Sequence, residues 1–417
     1  MEFKQIKNAT LEGTVSIPPS KSVTHRLLMI NALSQKSATL VHPLVSEDTM
    51  ITAEGLRKLG YQIDLNEKKA TFSGRISPSD EVVSINVNNS GTSARFLTAT
   101  AAISRINCLI DGSERMRQRP MKPLFEALIS LGANIEHTNG HLPLFIKQSE
   151  MTGGTVEIDA SKSSQFVSAL TLISPLLPEP VTIRYYNKIA SKPYLDLTLS
   201  LMQKAGIKMQ IKEEEITFIG NQSYKPINTK VEGDFSSAGY FLAGAAITGG
   251  RVKCKNMNPD SVQGDRVILD ILKNCGVKIT THQDYIELQG GGELTGLNMD
   301  MQDYPDLVPT VAVLCLFARG KSCLRNVLIL RFKESDRIRA IIENIHRLGG
   351  HATLNGADLM IKPGNLKGAE LETYSDHRIA MSFAIAGLRI PGIKIINPSC
   401  VHKSYPDFWT HLEQLSK

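Results

Sequence analysis

The chain has 417 residues, of which 42% are hydrophobic and 21% charged, a composition typical of globular proteins long enough for more than one core. Its formal net charge of +6 is mild, so charge alone does not distinguish an acidic substrate from a nucleic acid. The six cysteines form no Cys-x-x-Cys pair, which favours reduced packing thiols over disulfides or a metal site. No signal peptide opens the chain, and the best apolar run, 308–318, is too short to span a bilayer, so we expect a cytoplasmic protein without membrane partners.

One helix type recurs along the chain, and each copy ends in an apolar-x-x-apolar-Gly sequence. The glycines stand roughly seventy residues apart, and each predicts the left-handed residue that stops a helix before an alternating strand. They are Gly60, Gly132, Gly206, Gly276 and Gly349. A sixth copy is expected to end near Leu412 to Lys417, at the end of the sequence.

A second helix type is almost wholly apolar, is rich in small residues and opens with polar capping residues, which predicts that it is buried. Six copies recur at the same interval, over 22–33, 90–103, 163–176, 236–247, 305–317 and 376–388. Six repeated units of strands, one surface helix and one buried helix predict an α/β fold in two domains of three units each. We expect residues 1–19 and 233–417 to form one discontinuous domain, and residues 20–232 to form the other.

The starts of the buried helices are expected to bind anions, because a helix start carries partial positive charge and unpaired N–H groups. At the first start, Lys21 and Ser22 precede Arg26 by about one turn, which indicates a clamp for a phosphate or a carboxylate. An ordinary capped helix with a solvated lysine and arginine is the alternative.

The next helix starts repeat this pattern with fewer charges. Gly91 and Thr92 open the second helix, where a glycine lets backbone N–H groups approach a ligand, although a plain capped turn has the same sequence features. Residues 163–165, Ser-Ser-Gln, open the third with donors suited to a phosphate or a polyol, or to simple capping. The fourth start, around Ser236, lacks a cation and is expected to be structural only.

A basic segment follows the second buried helix. It contains three arginines and a lysine beside two prolines, between Arg115 and Pro123. Three arginines on a rigid loop favour bidentate recognition of a carboxylate or phosphate. A solvated surface loop is the alternative.

The second half of the chain supplies candidate acids and bases. Asp306 is predicted in the first turn of the fifth buried helix, and Lys333 and Arg337 are predicted four residues apart on one helix face. A carboxylate surrounded by cations stays ionised and can accept a proton from a substrate hydroxyl, which is the role expected of Asp306. A second carboxyl or a desolvated lysine nearby could deliver a proton in the same reaction.

Other ionisable residues in this half have plainer alternatives. Glu334 lies near a helix start, where an acidic residue can serve only as a cap. His377 could be a buried histidine with satisfied hydrogen bonds. Arg378 and Lys403 add further cations.

Taken in order from Pro18 to Asp407, these motifs resemble those of the enolpyruvyl transferase family, in its shikimate branch. The segments that carry the resemblance are Pro-Ser-Lys-Ser at 19–22, Asn-Ser-Gly-Thr-Ser-Ala-Arg at 89–95, Arg-Phe-Lys-Glu-Ser-Asp-Arg at 331–337 and Ser-Asp-His-Arg at 375–378. The resemblance implies a two-domain inside-out α/β barrel that works as a monomer, without a metal or an organic cofactor. It also implies transfer of the enolpyruvyl group of phosphoenolpyruvate to the 5-hydroxyl of shikimate 3-phosphate, on the route to chorismate and the aromatic amino acids. The same resemblance implies that the enzyme is a target of glyphosate.

The resemblance also assigns roles by position. Shikimate 3-phosphate contacts are implied for Lys21, Ser22, Arg26, Ser163, Ser164, Gln165, Ser191, Tyr194, Asp306 and Lys333. Phosphoenolpyruvate contacts are implied for Lys21, Gly91, Thr92, Arg119, Gln165, Arg337, His377, Arg378 and Lys403. Asp306 matches the acceptor of the hydroxyl proton, and Glu334, with Lys21 nearby, matches the group that protonates the methylene carbon. Ser191 and Tyr194 follow from the resemblance alone, since the residues around them predict a loop.

Two positions depart from the family pattern. Ile329 stands where many relatives carry an asparagine that contacts the shikimate phosphate, and Phe96 stands where some relatives have proline, in a segment that influences glyphosate binding.

The sister enzyme of cell-wall synthesis, which acts on UDP-N-acetylglucosamine, usually has Lys-Asn at the position of Lys21-Ser22 and a reactive cysteine in the loop at 114–119, where this chain has none. A nucleic-acid-binding protein or RNA-end-processing enzyme on a related repeat fold is the rival from another class, motivated by the basic charge balance and tested by salt-dependent RNA binding.

Overall fold

The computed structural model describes residues 2–76 and 82–417. The chain divides into two units, Lys21–Val231, called the continuous unit below, and Met1–Ser20 with Glu232–Lys417, called the discontinuous unit. The boundaries predicted after residues 19 and 232 each lie one residue away from these. Each unit has a hydrophobic core of its own.

The described residues contain thirteen α-helices. Those of the continuous unit are α1 (Lys21–Ser34), α2 (Glu47–Lys58), α3 (Gly91–Ile103), α4 (Glu114–Gln118), α5 (Lys122–Ser130), α6 (Ser164–Ile173) and α7 (Lys192–Lys204). Those of the discontinuous unit are α8 (Phe235–Thr248), α9 (Ile268–Asn274), α10 (Val308–Leu316), α11 (Arg337–Arg347), α12 (His377–Ala386) and α13 (Phe408–Leu415).

The described strands fall into the same two units. In the continuous unit they are β3 (Ala38–Val41), β4 (Tyr61–Leu65), β5 (Lys69–Arg75), β6 (Val83–Asn86), β7 (Cys108–Asp111), β8 (Asn134–Thr138), β9 (His141–Lys147), β10 (Gly154–Asp159), β11 (Val181–Tyr186), β12 (Met209–Ile211), β13 (Glu215–Phe218) and β14 (Thr229–Lys230). In the discontinuous unit they are β1 (Phe3–Gln5), β2 (Glu12–Ser16), β15 (Arg251–Lys255), β16 (Lys278–Thr281), β17 (Tyr285–Gln289), β18 (Asn298–Asp300), β19 (Ser322–Arg325), β20 (His351–Asn355), β21 (Asp358–Lys362), β22 (Glu370–Leu371) and β23 (Lys394–Ile396).

These strands form six small sheets in the described residues, and the sheets repeat one pattern. In the continuous unit the orders are β14-β3-β5-β4, β6-β7-β9-β8 and β10-β11-β13-β12. In the discontinuous unit they are β2-β15-β17-β16, β18-β19-β21-β20 and β22-β23-β1. Each sheet begins with a parallel pair and continues with antiparallel neighbours, as where β6 runs parallel to β7 and β7 antiparallel to β9. The predicted α/β fold of six repeated units, three in each half, is confirmed.

The six helices predicted to be buried are α1, α3, α6, α8, α10 and α12. Every residue from Val23 to Ser34 in α1 and from Phe235 to Ile247 in α8 is buried, as predicted. Two boundaries differ from the prediction. The third buried helix is α-helical only to Ile173 and continues as a 3-10 turn, and the fifth begins at Val308 rather than at 305.

The repeated glycines stop the surface helices as predicted. All five have a positive φ, between 84° and 102°, which is the left-handed region that glycine adopts without strain. At the first of them the Gly60 N–H donates to the carbonyl of Arg57, which closes the last turn of α2. A strand follows directly, so the glycine fixes where each helix gives way to its sheet.

No helix among the described residues is long and apolar enough to cross a membrane. All six cysteines are free thiols, and four of them are buried.

Candidate active site

Side-chain contacts connect the helix starts of the continuous unit. Gln165, in the first turn of α6, donates from Nε2 to Thr92 Oγ1, in the first turn of α3, at 3.1 Å. Ser163 caps α6, since its Oγ accepts from the Gln165 N–H at 3.2 Å. The Arg26 Cζ atom of α1 lies 5.6 Å from the ring centre of Phe96 in α3. The starts of α1, α3 and α6 are therefore neighbours, and the candidate residues on them lie in one region.

Lys21 is the first residue of α1, and it contacts a carboxylate that the sequence did not single out. Its Nζ lies 3.1 Å from Oδ2 of Asp48, in the first turn of α2, and these side chains are only 13% and 4% exposed. The carbonyl of Asp48 also accepts from Ser93 Oγ in α3 at 3.2 Å. Because breaking a buried ion pair is costly, Asp48 fixes the position of the Lys21 ammonium at the helix start.

Arg26, which was predicted to form an anion clamp with Lys21 and Ser22, is almost fully buried. It donates to Thr198 Oγ1 at 2.7 Å, to the carbonyl of Ser22 at 2.9 Å and to the carbonyl of Tyr194 at 2.7 Å. Burial lowers the pKa of Arg26 to about 10, which leaves it charged near neutral pH. The structure thus brings Ser22, Arg26 and Tyr194 together, with Arg26 as the cation that links α1 to α7.

Ser191 has two unusual features. It lies in the left-handed region, with φ 60° and ψ 43°, at the residue that precedes α7, and its side chain is buried. Its hydroxyl has no hydrogen-bond partner in the described part of the chain. A buried polar group without a partner costs about 1 to 3 kcal/mol, and strained backbone concentrates at functional sites. Pro193, at the second position of α7, is the signal by which the sequence could have predicted a helix start here.

Gly91 and Arg119 meet at the start of α3. Arg119 is 5% exposed, and its Nη1 donates to the carbonyl of Asn89 at 3.2 Å. A Cβ on Gly91 would lie 2.4 Å from Arg119 Nη2 and 2.6 Å from Arg95 Nη1. A side chain at this position would therefore displace both guanidinium groups from the helix start.

The predicted basic loop is partly wrong. Its residues Glu114–Gln118 form the short helix α4, because the Ser113 hydroxyl caps it by accepting from the Met116 N–H. Arg117 points to solvent and pairs with Asp111, with 2.9 Å between its Nε and Oδ1. Of the four cations in this segment, Arg119 alone is buried.

Arg337 is the centre of the discontinuous unit's candidate site. Its Nη1 lies 2.9 Å from Asp306 Oδ1, its Nη2 2.7 Å from Glu334 Oε2 and its Nε 2.8 Å from Asp376 Oδ2. The Ser335 hydroxyl donates to Asp376 Oδ2 at 3.0 Å. Burial by itself would lower the pKa of Arg337, but the three carboxylates outweigh it and raise that pKa above its ordinary value.

Asp306 bridges two arginines. Its Oδ2 lies 2.8 Å from Nη2 of Arg378, and its Oδ1 contacts Arg337. Burial would raise the pKa of Asp306, but Arg378, Lys333 and Arg337 outweigh that effect and hold the pKa of this carboxyl well below its usual range. The Asp306 side chain is 19% exposed, so an ionised carboxylate remains within reach of a ligand.

The structure corrects two predicted positions. Asp306 precedes α10 rather than standing in its first turn, because α10 begins at Val308 with Pro309 as its second residue. Lys333 and Arg337 do not share a helix face, because α11 begins at Arg337, where Asp336 caps it by accepting from a backbone N–H of the first turn. Lys333 instead ends the 3-10 turn Leu328–Phe332 and acts on Asp306 through its charge.

The remaining predicted residues lie around α12. His377, the first residue of α12, is fully buried, and its Nδ1 lies 3.8 Å from Asp376 Oδ1. Asp376 caps this helix by accepting from the Arg378 N–H at 3.0 Å. Lys403 is buried at the end of a 3-10 turn, Pro398–Lys403, that packs against α12. Ile329 is a buried apolar side chain in the 3-10 turn before Lys333, so the position that departs from the family pattern offers no polar contact.

A buried carboxyl that the sequence did not single out lies at the start of α8. Asp265, in the 3-10 turn Gly264–Val267, is 4% exposed and accepts a hydrogen bond from the hydroxyl of Ser236. Burial and the negative charge of Asp306 raise the pKa of Asp265 to about 6. The start of α8, which was predicted to be structural only, thus has the buried carboxyl of Asp265 beside its capping residue Asp234.

A family model, curated relatives and solved structures that are similar to this chain all belong to the same family. Residues 6–412 match the model of a family described as EPSP synthase (3-phosphoshikimate 1-carboxyvinyltransferase). The 3-phosphoshikimate 1-carboxyvinyltransferase of Syntrophobacter fumaroxidans is 38% identical over 97% of both chains, and that of Methanocaldococcus jannaschii is 37% identical over 96% of this chain and 95% of the relative. The solved structure of EPSP synthase from Acinetobacter baumannii superimposes with a TM-score of 0.83 at 26% identity, covering 99% of this chain and 98% of the other.

The Arg337 cluster makes a prediction for stability. Asp376→Ala should lower the free energy of unfolding by about 3 to 5 kcal/mol, because it leaves a buried guanidinium with less compensating charge. Urea unfolding at pH 7 measures this difference. The matched control is Arg339→Ala, which breaks the exposed pair of Arg339 with Glu343 and should cost less than about 1 kcal/mol.

The same prediction has a pH dependence. The pKa of Asp376 is lowered in the folded state, so its contribution is present above the unfolded pKa of about 4 and is lost as the pH falls through the folded pKa. The stability difference between wild type and Asp376→Ala should therefore persist from pH 7 to pH 5 and shrink below about pH 4. Equal losses from Asp376→Ala and Arg339→Ala would contradict the account of the cluster.

Proposed function

The chain belongs to the EPSP synthase family, and we propose that it transfers the enolpyruvyl group of phosphoenolpyruvate to the 5-hydroxyl of shikimate 3-phosphate, releasing phosphate. It is then a transferase of the shikimate pathway, which leads to chorismate and the aromatic amino acids. The observation that carries the proposal at the level of chemistry is Asp306, an ionised carboxylate held between Arg337 and Arg378.

The proposed reaction is an addition followed by an elimination. The substrate oxygen forms a bond to C2 of phosphoenolpyruvate, and the bond between C2 and the phosphate oxygen later breaks. Asp306 accepts the hydroxyl proton, a role supported by a lowered pKa that keeps it ionised. Glu334, with Lys21, delivers a proton to the methylene carbon, which makes C2 electrophilic. The Glu334 carboxylate then takes a proton back from the resulting methyl group as the double bond forms again and phosphate leaves.

The shikimate 3-phosphate contacts are proposed mainly on the helix starts of the continuous unit. The residues are Lys21, Ser22, Arg26, Ser163, Ser164, Gln165, Ser191 and Tyr194, with Asp306 and Lys333 in the discontinuous unit. Hydroxyl and amide donors beside a helix start suit a phosphate, because they add to the partial positive charge of that start. The unusual backbone and unpartnered hydroxyl of Ser191 support its place in this set.

The phosphoenolpyruvate contacts are proposed on the cations and on the starts of α3, α6 and α12. They are Lys21, Gly91, Thr92, Arg119, Gln165, Arg337, His377, Arg378 and Lys403. Arg337 supports this assignment because it holds Asp376 in the bidentate manner that suits a ligand carboxylate, through Nε on Oδ2 at 2.8 Å and Nη2 on Oδ1 at 3.2 Å. Arg378 donates to Asp306 Oδ2 at 2.8 Å and so also binds a carboxylate. An anionic ligand at Arg337 would take over a contact that Asp306, Glu334 or Asp376 makes in this structure.

We propose further that the enzyme works as a cytoplasmic monomer on these two small molecules, without a metal, an organic cofactor, a nucleic acid or a membrane partner. The family resemblance supports this part of the proposal. Light scattering during gel filtration at assay concentrations tests whether the enzyme is a monomer, and elution as a dimer would contradict this part of the proposal.

Phosphate release tests the function directly. The wild type should release phosphate only when phosphoenolpyruvate and shikimate 3-phosphate are both present. Lys21→Ala and Arg119→Ala should each lower kcat/KM by about 30- to 1000-fold, because each removes a charged contact with the reacting phosphoenolpyruvate. A coupled assay for free phosphate gives these values.

The matched control for Arg119→Ala is Arg117→Ala, which removes an exposed arginine two residues away that pairs with Asp111. This variant should keep wild-type kcat/KM within about twofold. Absence of phosphate release by the wild type would refute the function, whereas normal turnover in both Lys21→Ala and Arg119→Ala would show that the site is misplaced.

Ser191 supports a separate prediction about binding. Ser191→Ala should weaken shikimate 3-phosphate binding about tenfold, the size of a charge-assisted hydrogen bond, without lowering stability. Stability is spared because the hydroxyl has no partner in the described residues to lose. Isothermal titration calorimetry and thermal unfolding measure the two effects.

Ser168→Ala is the control for this experiment. The buried Ser168 hydroxyl accepts from Thr198 Oγ1 at 3.1 Å, so this variant should lose stability and keep its affinity. If Ser191→Ala behaves like Ser168→Ala instead, Ser191 is not a ligand contact.

A further inference from the structure

Two adjacent residues before α12 have a strained backbone. Tyr374 and Ser375 have φ values of 52° and 54°, and they are the one adjacent pair of non-glycine residues with positive φ in the described part of the chain. A bulky residue such as tyrosine is strained in this left-handed region, so the pair persists only where the surrounding structure holds it. The Ser375 hydroxyl accepts from Asn397 Nδ2 at 3.2 Å, and Tyr374 is held from α11.

Helix α11 holds this segment with two neighbouring side chains. The buried Asn344 donates from Nδ2 to the carbonyl of Glu372 at 2.8 Å and accepts from the Glu372 N–H at 3.2 Å. The Tyr374 hydroxyl donates to Oε2 of Glu343. Hydrogen bonds from Arg339 and then from Tyr374 lower the pKa of Glu343, so the acceptor is an ionised carboxylate and the bond from Tyr374 is charge-assisted.

The strained pair leads directly into a carboxylate on which the candidate site depends. Asp376 comes next in the chain, and it accepts from Arg337 Nε at 2.8 Å and from Arg337 Nη2 at 3.2 Å. It also caps α12, because it accepts from the Arg378 N–H at 3.0 Å. Both arginines are proposed contacts of phosphoenolpyruvate. The backbone at Tyr374 and Ser375 therefore sets where this carboxylate meets Arg337 and where α12 begins.

We propose that Tyr374 is a positioning residue, whose hydrogen bond to Glu343 holds the left-handed pair and so keeps Asp376 in place against Arg337. The inference rests on the proposed function, because the affected arginines are the proposed phosphoenolpyruvate contacts. Asn344 attaches the segment to α11 two residues earlier, whereas Tyr374 acts within the strained turn itself. Loss of the hydroxyl lets the pair relax towards ordinary backbone, while Asn344 keeps the segment on α11.

Steady-state kinetics of Tyr374→Phe tests this role. The substitution keeps the ring and removes one hydroxyl, so KM for phosphoenolpyruvate should rise about five- to tenfold, within the range of a single hydrogen bond. KM for shikimate 3-phosphate should stay near the wild-type value, because its proposed contacts lie mainly in the continuous unit. A purely structural role would not separate the two KM values.

Glu343→Ala removes the acceptor of the same hydrogen bond, so it tests the proposal even if Tyr374→Phe does not fold. It should raise the same KM by a similar factor, and the double variant should raise it no further than the larger single change, because both act through one contact. The matched control is Arg339→Ala, which removes the exposed partner of Glu343 at 2.6 Å and leaves the bond from Tyr374. Its KM values should equal those of the wild type.

Amide hydrogen exchange gives a readout that does not require turnover. The N–H groups of Arg378 and Ala380 donate to the side chain and to the carbonyl of Asp376. If Tyr374 fixes Asp376, these hydrogens should exchange faster in Tyr374→Phe than in the wild type, because the first turn of α12 opens more often. Exchange in α9, the helix Ile268–Asn274 of the same unit, should be unchanged.

The outcomes are distinguishable. A wild type that does not turn over would refute the proposed function, and hydrogen exchange would still decide whether Tyr374 fixes Asp376. A lower kcat with unchanged KM values in Tyr374→Phe and Glu343→Ala would refute the positioning role, because a smaller folded fraction lowers kcat alone. Effects on KM that multiply in the double variant, or that appear equally in Arg339→Ala, would refute the hydrogen bond as their cause.

Discussion

The structure depends on one constraint, which is that six helices bury the whole of their bodies. Buried helices such as α1 and α8 have no side that faces solvent, so a side chain that is to meet a ligand can be placed only near their ends. A helix start also brings unpaired N–H groups and partial positive charge. Side chains that bind anions therefore collect at the starts of these helices. The sheets and surface helices supply the frame that holds the starts in place.

The two units use this constraint differently. In the continuous unit the helix starts carry hydroxyls, an amide and the cations Lys21 and Arg119, which is suited to holding phosphate. In the discontinuous unit the starts of α10, α11 and α12 surround Arg337 with carboxylates, which is suited to moving protons. The carboxylates of Asp376, Glu334 and Asp306 stabilise the charge of Arg337, and Arg337 in turn helps Arg378 and Lys333 to keep Asp306 ionised.

The repeat could be predicted because it depends on local signals: glycines that end helices, caps that begin them and apolar periods between them. Most of the candidate site followed from these signals and from the family resemblance. Positions set by contacts distant in sequence did not. The left-handed Ser191, the pairing of Lys21 with Asp48 and the burial of Asp265 under Ser236 depend on tertiary packing that no local pattern encodes. Lys333 was placed wrongly on a helix face because the cap at Asp336 outweighs the four-residue spacing.

The central claim is that Glu334 protonates the methylene carbon of phosphoenolpyruvate while Asp306 accepts the hydroxyl proton. Carrying out the reaction in D2O and recording the proton NMR spectrum of the product tests it most directly. If the methylene carbon passes through a methyl group, deuterium from solvent must appear in the vinyl group of the product. The product of the wild-type enzyme should carry that label. A product that forms at the normal rate with no vinyl deuterium would contradict it.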